Sequence, residues 1–427
     1  MTTDQKNYVR ENCETKPLTE ITKDLGVNYI QVYSYVRKNN LSLIPSSYHS
    51  SKKPVIKPQS LYNINECDMW WSRFNLDNRK VSLSTGQVAV LLGILVGLMF
   101  GALAQQSRFC LRSACIEFWR NKPSAKFAIW LFTFSTALLL TQWMIQAGHL
   151  NTGSIRQLAS TGSMSGAIVG GTLFGIGMIL ARGCASRLLV LSGTGNQRAL
   201  IAGLIVTVVS QASLRGVLSP LREDISTWWL VDASQRNLAL FLPSWAPMAL
   251  AVVLFLAAIW LATRATQREP RWHQIAAIGV GASVALGWGL TAWHASWSFD
   301  VVPIKSVSFT GPSADTLMGL INEPALPLSF DIGIVVGVFA GAFFASVLAG
   351  EFKLQVFTSE TGLSRYIFGA VLMGFGGMLA GGCAVGAGVT GGAVMALTAW
   401  VALLFMWLAA GLTDALVDKK RELAAGH

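Results

Sequence analysis

Nine apolar runs, centred near Leu95, Leu138, Gly175, Val206, Leu254, Val284, Val338, Phe375 and Leu404, follow one another from residue 83 onward. Each is long enough for the roughly 20 residues a helix needs to cross a hydrocarbon layer of about 30 Å. A segment surrounded by lipid must satisfy its backbone hydrogen bonds internally, so the pattern predicts an all-α polytopic membrane protein with about nine transmembrane helices.

Composition changes ahead of the first run. The first 80 residues hold 12 Lys and Arg, 8 Asp and Glu and a single glycine, Gly26, whereas the remaining 347 hold 21, 14 and 40 of these. A lipid-facing surface cannot solvate charge and close helix packing favours glycine, so the contrast separates a small soluble segment from a membrane domain. The expected boundaries are a helix-turn-helix-like segment over 1–45, a linker over 46–82, a membrane domain over 83–416 and a tail over 417–427. The net charge of +11 is then carried by loops at the membrane surface rather than by a nucleic-acid groove.

Basic residues fall in alternate loops. Arg108, Arg112, Arg120, Lys122 and Lys126 follow the first run, Arg187 and Arg198 the third, Arg264, Arg268 and Arg271 the fifth, Lys353 and Arg365 the seventh, and Lys419, Lys420 and Arg421 the last. The intervening loops, with Asp300, Lys305, Asp315 and Glu323, are balanced or acidic. The positive-inside bias places the C-terminus in the cytoplasm and the start of the first run outside. No secretory signal precedes that run.

Two internal echoes are visible. Gly93, Ile94, Leu95, Val96, Gly97, Gly101 and Ala102 recur as Gly333, Ile334, Val335, Val336, Gly337, Gly341 and Ala342, an offset of 240. Leu173, Gly175, Gly177, Leu180, Ala181, Gly183, Cys184 and Ala185 recur as Leu372, Gly374, Gly376, Leu379, Ala380, Gly382, Cys383 and Ala384, an offset of 199. The difference leaves room for one extra span, Phe127 to Gly148, so the two cysteine-bearing segments should run in opposite directions, as in transporter repeats with interrupted helices. Gly166 to Ala181 is only 16 residues, about 24 Å of helix and short of a full crossing. Gly381, Gly382, Gly386, Gly388, Gly391 and Gly392 likewise predict a broken helix after Ala380. Gly93, Gly97 and Gly101 read more simply as a helix-packing stripe.

The chemistry-bearing residues sit at those breaks. Of six cysteines, Cys13 and Cys67 precede the membrane domain, and Cys110, Cys115, Cys184 and Cys383 lie within it. None has metal-ligand or Cys-x-x-Cys spacing, so neither a metal nor another cofactor is expected. A buried free cysteine is ordinarily a small hydrophobe, and Cys115 is read that way. Cys184 and Cys383 occupy equivalent breaks, Cys110 follows Arg108, and Arg182 precedes Cys184 by two residues. Thiols beside guanidinium groups and exposed helix N–H groups suit a small anion with a soft end: charge is offset by arginine and amides, and a terminal sulfur meets a polarisable S–H. Charge near the bilayer interior is seldom idle, which favours Arg108 and Arg182 as binding residues, whereas Arg112 and Arg187 are equally well read as ordinary loop arginines. His149, His273 and His294 fall at span ends and read as interfacial.

The stretches Gln105-Gln106-Ser107-Arg108-Phe109-Cys110-Leu111, Leu180-Ala181-Arg182-Gly183-Cys184-Ala185, and Leu372-Met373-Gly374-Phe375-Gly376 leading to Ala380-Gly381-Gly382-Cys383 resemble the three cysteine motifs of the YeeE/YedE family of sulfur-compound transporters. The resemblance runs from about residue 83 to 416. It implies an hourglass-shaped inner-membrane importer of thiosulfate in which Cys110, Cys184 and Cys383 pass the ion along by successive S–H contacts. The second motif departs from the family: Arg182 stands where glycine is usual, and Ser186-Arg187 where Thr-Gly is expected. The departure bears on which anion is taken.

Ahead of the membrane domain, Leu18, Ile21, Leu25, Gly26, Val27, Ile30, Val32 and Val36 have helix-turn-helix spacing, with Gln31, Tyr33, Ser34 and Arg37 as permissive base readers. A small helical hairpin without DNA contacts fits equally well. DNA binding by residues 1–45 belongs in the cytoplasm, in conflict with the loop charges, which put the start of the first span outside. Residues 46–60, with Pro54, Pro58 and three lysines and with Pro45 just before them, read as a flexible tether.

The leading expectation is therefore import of thiosulfate or a related sulfur oxyanion past a cysteine-lined path, with membrane lipid as surroundings and a cytoplasmic protein as sulfur acceptor. No reaction is expected of the chain itself. Two alternatives remain at this stage: a sulfur relay in which Cys184 becomes persulfidated, and a membrane-tethered regulator that senses a sulfur compound. No Gly-x-x-x-x-Gly-Lys loop occurs, which argues against ATP-driven pumping by this chain.

Overall fold

A computed structural model describes residues 84–120, 125–265, 269–298, 300–322, 328–355 and 363–419. The helix-turn-helix-like segment, the linker with Cys67, Cys13 before it, and the end of the tail lie outside the described residues. Within them, nine helical segments are long and apolar enough to span a bilayer: Thr85–Trp119, Ala125–Gln146, Met164–Gly193, Gln197–Arg215, Ala246–Arg264, Arg271–Trp297, Phe330–Leu348, Leu363–Ala393 and Leu397–Asp418. Each contains one of the nine centres read from the sequence. The chain is a multi-pass, all-α membrane protein; the only strands among the described residues are the two-residue pair Gly162–Ser163 and Leu230–Val231.

Three of the nine segments are interrupted. The first divides into α1 (Thr85–Ser107) and α2 (Leu111–Trp119). After α3 (Ala125–Gln146), the third divides into α4 (Met164–Leu180) and α5 (Ala185–Gly193), and α6 (Gln197–Arg215) follows. Next come α7 (Ala246–Arg264), α8 (Arg271–Trp297), α9 (Thr310–Asn322) and α10 (Phe330–Leu348). The eighth segment divides into α11 (Leu363–Leu379) and a π-helical turn, Ala384–Thr390, before α12 (Leu397–Thr413). The glycines after Cys383 thus accommodate a wide helical turn, and the break itself is confined to residues 380–383.

Glycine decides how these helices meet. The 240 echo marks two helices packed on one another in parallel: a Cβ at Gly97 would stand 2.7 Å from the Ile334 carbonyl oxygen, and one at Gly337 would stand 2.6 Å from that of Ile94. Helix α3 and helix α8 form a second parallel pair, with Gly281 against Thr136 and Gly289 against Met144. The 199 echo marks the inverted relation. Gly166 of α4 abuts Leu379 of α11, Gly170 abuts Gly376, and Gly177 abuts Met373, so the two helices run antiparallel as expected. A Cβ at Gly175 would stand 2.6 Å from the Met406 carbonyl oxygen of α12, and one at Gly374 would stand 2.8 Å from that of Val206 of α6, which is one contact seen from the two halves. Small residues allow this close approach where lipid supplies no hydrophobic drive between helices.

Helix α7 lies at the periphery. Only Pro247, Ala251 and Ala258 are buried on it, while Val253, Leu256 and Trp260 are exposed, as a lipid-facing helix requires. Helix α9, too short to span, packs beside α6 and α10. Sequence reading had left this segment as a loop, although Gly311-Pro312 in its first turn is a helix-start signal. His294 is buried rather than interfacial: it lies in the last turn of α8, against Trp297 at 5.1 Å.

Candidate functional site: three thiols at three helix breaks

The same turn is built three times. Helices α4 and α11 end in matched hydrogen bonds: Gly183 N–H donates to Met178 O (3.1 Å) and Gly382 N–H to Gly377 O (2.8 Å), while Arg182 and Gly381 donate to Ile179 and Met378. This is the Schellman closure, which requires a left-handed residue just past the helix end. Arg182 (φ 58°) and Gly381 (φ 79°) fill that place, and Arg108 (φ 53°) fills it after α1. Two residues on, each chain reaches a cysteine in extended conformation that heads a new helical turn. The carbonyls of Cys110, Cys184 and Cys383 accept from Ala114, Leu188 and Ala387 at 3.2, 2.9 and 2.8 Å. The thiol therefore emerges where N–H groups are unpaired and the helix end is positive.

Two of the thiols come together. Cys110 and Cys184 are neighbours, each acting on the other electrostatically, and Cys184 Sγ is 3.2 Å from Ser186 Oγ. Both are buried and unbridged. The third is held apart: Cys383 Sγ accepts from Gly386 N–H at 3.3 Å, and the amides of Val385, Phe309 and Thr310 also turn toward it. Cys383 is fully buried, and the neighbouring Thr310 Oγ1 is buried without a partner. A cavity of about 180 Å³ is lined by Ala185, next to Cys184, and by Phe309 and Thr310, next to Cys383. Phe309 also packs against Phe100 of α1, ring centroids 5.2 Å apart, so a buried aromatic pair stands beside that cavity.

The arginines are distributed differently from the thiols. Arg108 and Arg182 supply the left-handed turns, and their side chains are exposed; Arg108 pairs with Glu351 at 3.4 Å, while Gln105 Nε2 donates to the same carboxylate at 3.0 Å. The guanidinium beside Cys110 and Cys184 belongs to Arg187. It is half-buried, and its NH1 is shut off from solvent without a hydrogen-bond partner. The sequence leaves Arg187 balanced between a binding and a loop role and gives no sign of the Phe309-Thr310 amides. The first had a signal, its place one helical turn beyond Cys184; the second had none, because the contact spans 74 residues of chain. Cys115 is buried in the same apolar core as Cys184 and Cys383 and heads no helix break.

The floor of the site is braced by ion pairs. Arg120 meets Asp414 through two bonds of 2.8 and 2.9 Å, and Asp418 accepts from Arg365 at 2.6 Å and Arg112 at 3.4 Å. These tie α2, whose first residue follows Cys110, to the end of the last span. Among the described residues no group of His, Cys, Asp and Glu is arranged to hold a metal ion.

A sequence profile described as sulphur transport matches residues 106–412, a range that contains all three breaks. The chain belongs to the sulphur-transport family. Two relatives share most of its length. A protein of Spirochaeta thermophila called thiosulfate transporter TsuA is 29% identical over 330 residues, covering 74% of this chain and 95% of the relative. Its counterpart of the same name in Escherichia coli K12 is 26% identical over 365 residues, covering 78% and 97%. The family placement agrees with the resemblance read from the cysteine motifs, and the match takes in the inverted repeat from α3 to α12.

Proposed function

We propose that this chain imports thiosulfate across a bacterial inner membrane, with Cys383 as one station for the ion and the Cys110–Cys184 pair as the other. The observation that carries the reading is the repeated break, in which each cysteine heads a new helical turn whose first N–H groups lack an intrahelical partner. Family membership supports transport, and the names of both relatives support thiosulfate. An anion crossing here meets amides that offset its charge and thiols that meet its terminal sulfur, without the desolvation penalty of bare hydrocarbon. Arg108 and Arg182, exposed at the mouth, raise the local concentration of anions rather than holding one in the path. The alternating basic loops favour a cytoplasmic C-terminus, the side on which a sulfur-accepting protein would receive the ion.

The test is uptake of sulfur-labelled thiosulfate by cells that lack their own route. Expression of the chain should confer uptake, and Cys110→Ser, Cys184→Ser and Cys383→Ser should each impair it at matched folded protein. Full uptake by all three variants would remove the thiols from the path. Deleting residues 1–80 should leave uptake in place; its loss would instead favour a regulator built around the N-terminal segment.

A further inference from the structure

Arg187 combines three features. It lies one turn beyond Cys184 on α5, near the thiols of both Cys110 and Cys184. Its NH1 is buried and donates to nothing, and among the described residues no carboxylate forms an ion pair with its side chain, the acidic neighbour Glu351 pairing instead with Arg108. Arg236 shares the last two, a buried unpartnered nitrogen and no carboxylate pair, but its guanidinium is bonded to Ser160 and Thr398 and lies apart from the thiols. Arg112, Arg120 and Arg365, by contrast, are neutralised by Asp418 and Asp414. A buried donor left unmade is costly, and a buried guanidinium without a carboxylate is costlier still. The position is sustained if the missing partner is a transient one.

We propose that Arg187 is the cation of the Cys110–Cys184 station: its free NH1 binds an oxygen of a small oxyanion whose sulfur meets the two thiols. The proposal deepens the transport reading above and rests on it for the identity of the ion. The division of labour is chemical. The planar guanidinium recognises the hard, oxygen-bearing end of the ligand, and the thiols recognise the soft end. Ser186 Oγ, bonded to Cys184, adds a hydroxyl to the same cluster.

The purified full-length chain in detergent tests this by thiosulfate titration and by thermal unfolding without ligand, for the parent, Arg187→Lys and Arg187→Met. Loss of one charge-assisted hydrogen bond should weaken thiosulfate binding about ten- to one-hundred-fold in Arg187→Met, with Arg187→Lys between the two. The ligand-free melting temperature of Arg187→Met should equal or exceed the parent's, because a buried unpaired charge has been replaced by an apolar chain of similar length. A structural arginine would behave in the opposite way: Arg187→Met would melt earlier and bind thiosulfate unchanged, and that result overturns the proposal. Should Arg187→Met fail to fold, Arg187→Lys decides, since binding equal to the parent's also overturns it. If the parent holds no thiosulfate, the transport reading fails on its own. Sulfate titration then judges the guanidinium separately: weaker sulfate binding in Arg187→Lys sustains an oxyanion site, and equal or absent binding removes it.

Discussion

The turns that precede Cys184 and Cys383 are the same left-handed closure made with different residues, so exchanging their chemistry should have opposite effects on stability. At Gly381 (φ 79°) an added Cβ meets nothing within 4 Å, so Gly381→Ala introduces backbone strain without a clash. The left-handed conformation costs an L-residue about 1–2 kcal/mol. The reduced entropy of the unfolded chain returns about 0.5 kcal/mol. Gly381→Ala should therefore destabilise the protein by about 1 kcal/mol. Arg182 already bears the strain at φ 58°, and its side chain is exposed, so Arg182→Gly should stabilise by a similar amount. The assay is unfolding in mild detergent followed by tryptophan fluorescence, with the fraction remaining monodisperse after heating as a second readout. Gly381→Ala as stable as the parent, or Arg182→Gly less stable, would refute the matched closures. Uptake per folded molecule, measured alongside, separates any contribution of the Arg182 charge to anion capture from its effect on the turn.

Other consequences follow from the packing. Cys115→Ser should leave thiosulfate uptake unchanged while lowering stability by about 1–2 kcal/mol, because it places a hydroxyl among apolar side chains at a site with no solvent access; uptake and melting temperature of the one variant check both halves. Gly97→Val should abolish monodisperse protein in size-exclusion chromatography, since its first carbon would stand 2.7 Å from a carbonyl of α10 that cannot retreat. Asp414→Asn removes the carboxylate that holds Arg120 at 2.8 Å beneath the Cys110 turn, and should cost about 2 kcal/mol in detergent unfolding.

Much of this fold is legible in the sequence, for physical reasons that differ from element to element. The nine spans were legible because lipid demands long apolar runs. The inverted pair was legible because Gly175 and Gly374 each face a backbone carbonyl that only glycine admits. The break before Cys383 was legible in Gly381 (φ 79°) and in Gly382, where an added Cβ would stand 2.7 Å from Ala387 N, whereas Gly183 carries no such constraint and marks its break only through the repeat. Helix α9 was hidden, because a short buried helix lacks both the length of a span and the polarity of a loop. The placement of the arginines was hidden too. Proximity in sequence suggests Arg108 and Arg182 as thiol neighbours; both side chains are exposed, whereas NH1 of Arg187, one turn beyond Cys184, is buried. Residues 1–45 carry their helix-turn-helix reading as an expectation alone.

The central claim is that the ion touches the thiols. Selenosulfate, which carries selenium in place of the terminal sulfur, would mark the soft end in a crystal of the full-length chain through its anomalous signal. The account predicts selenium peaks within contact of the Cys110–Cys184 pair or of Cys383, with the oxygens turned toward amides or Arg187. Selenium found in a competent, transporting protein only at sites remote from all three thiols would contradict it.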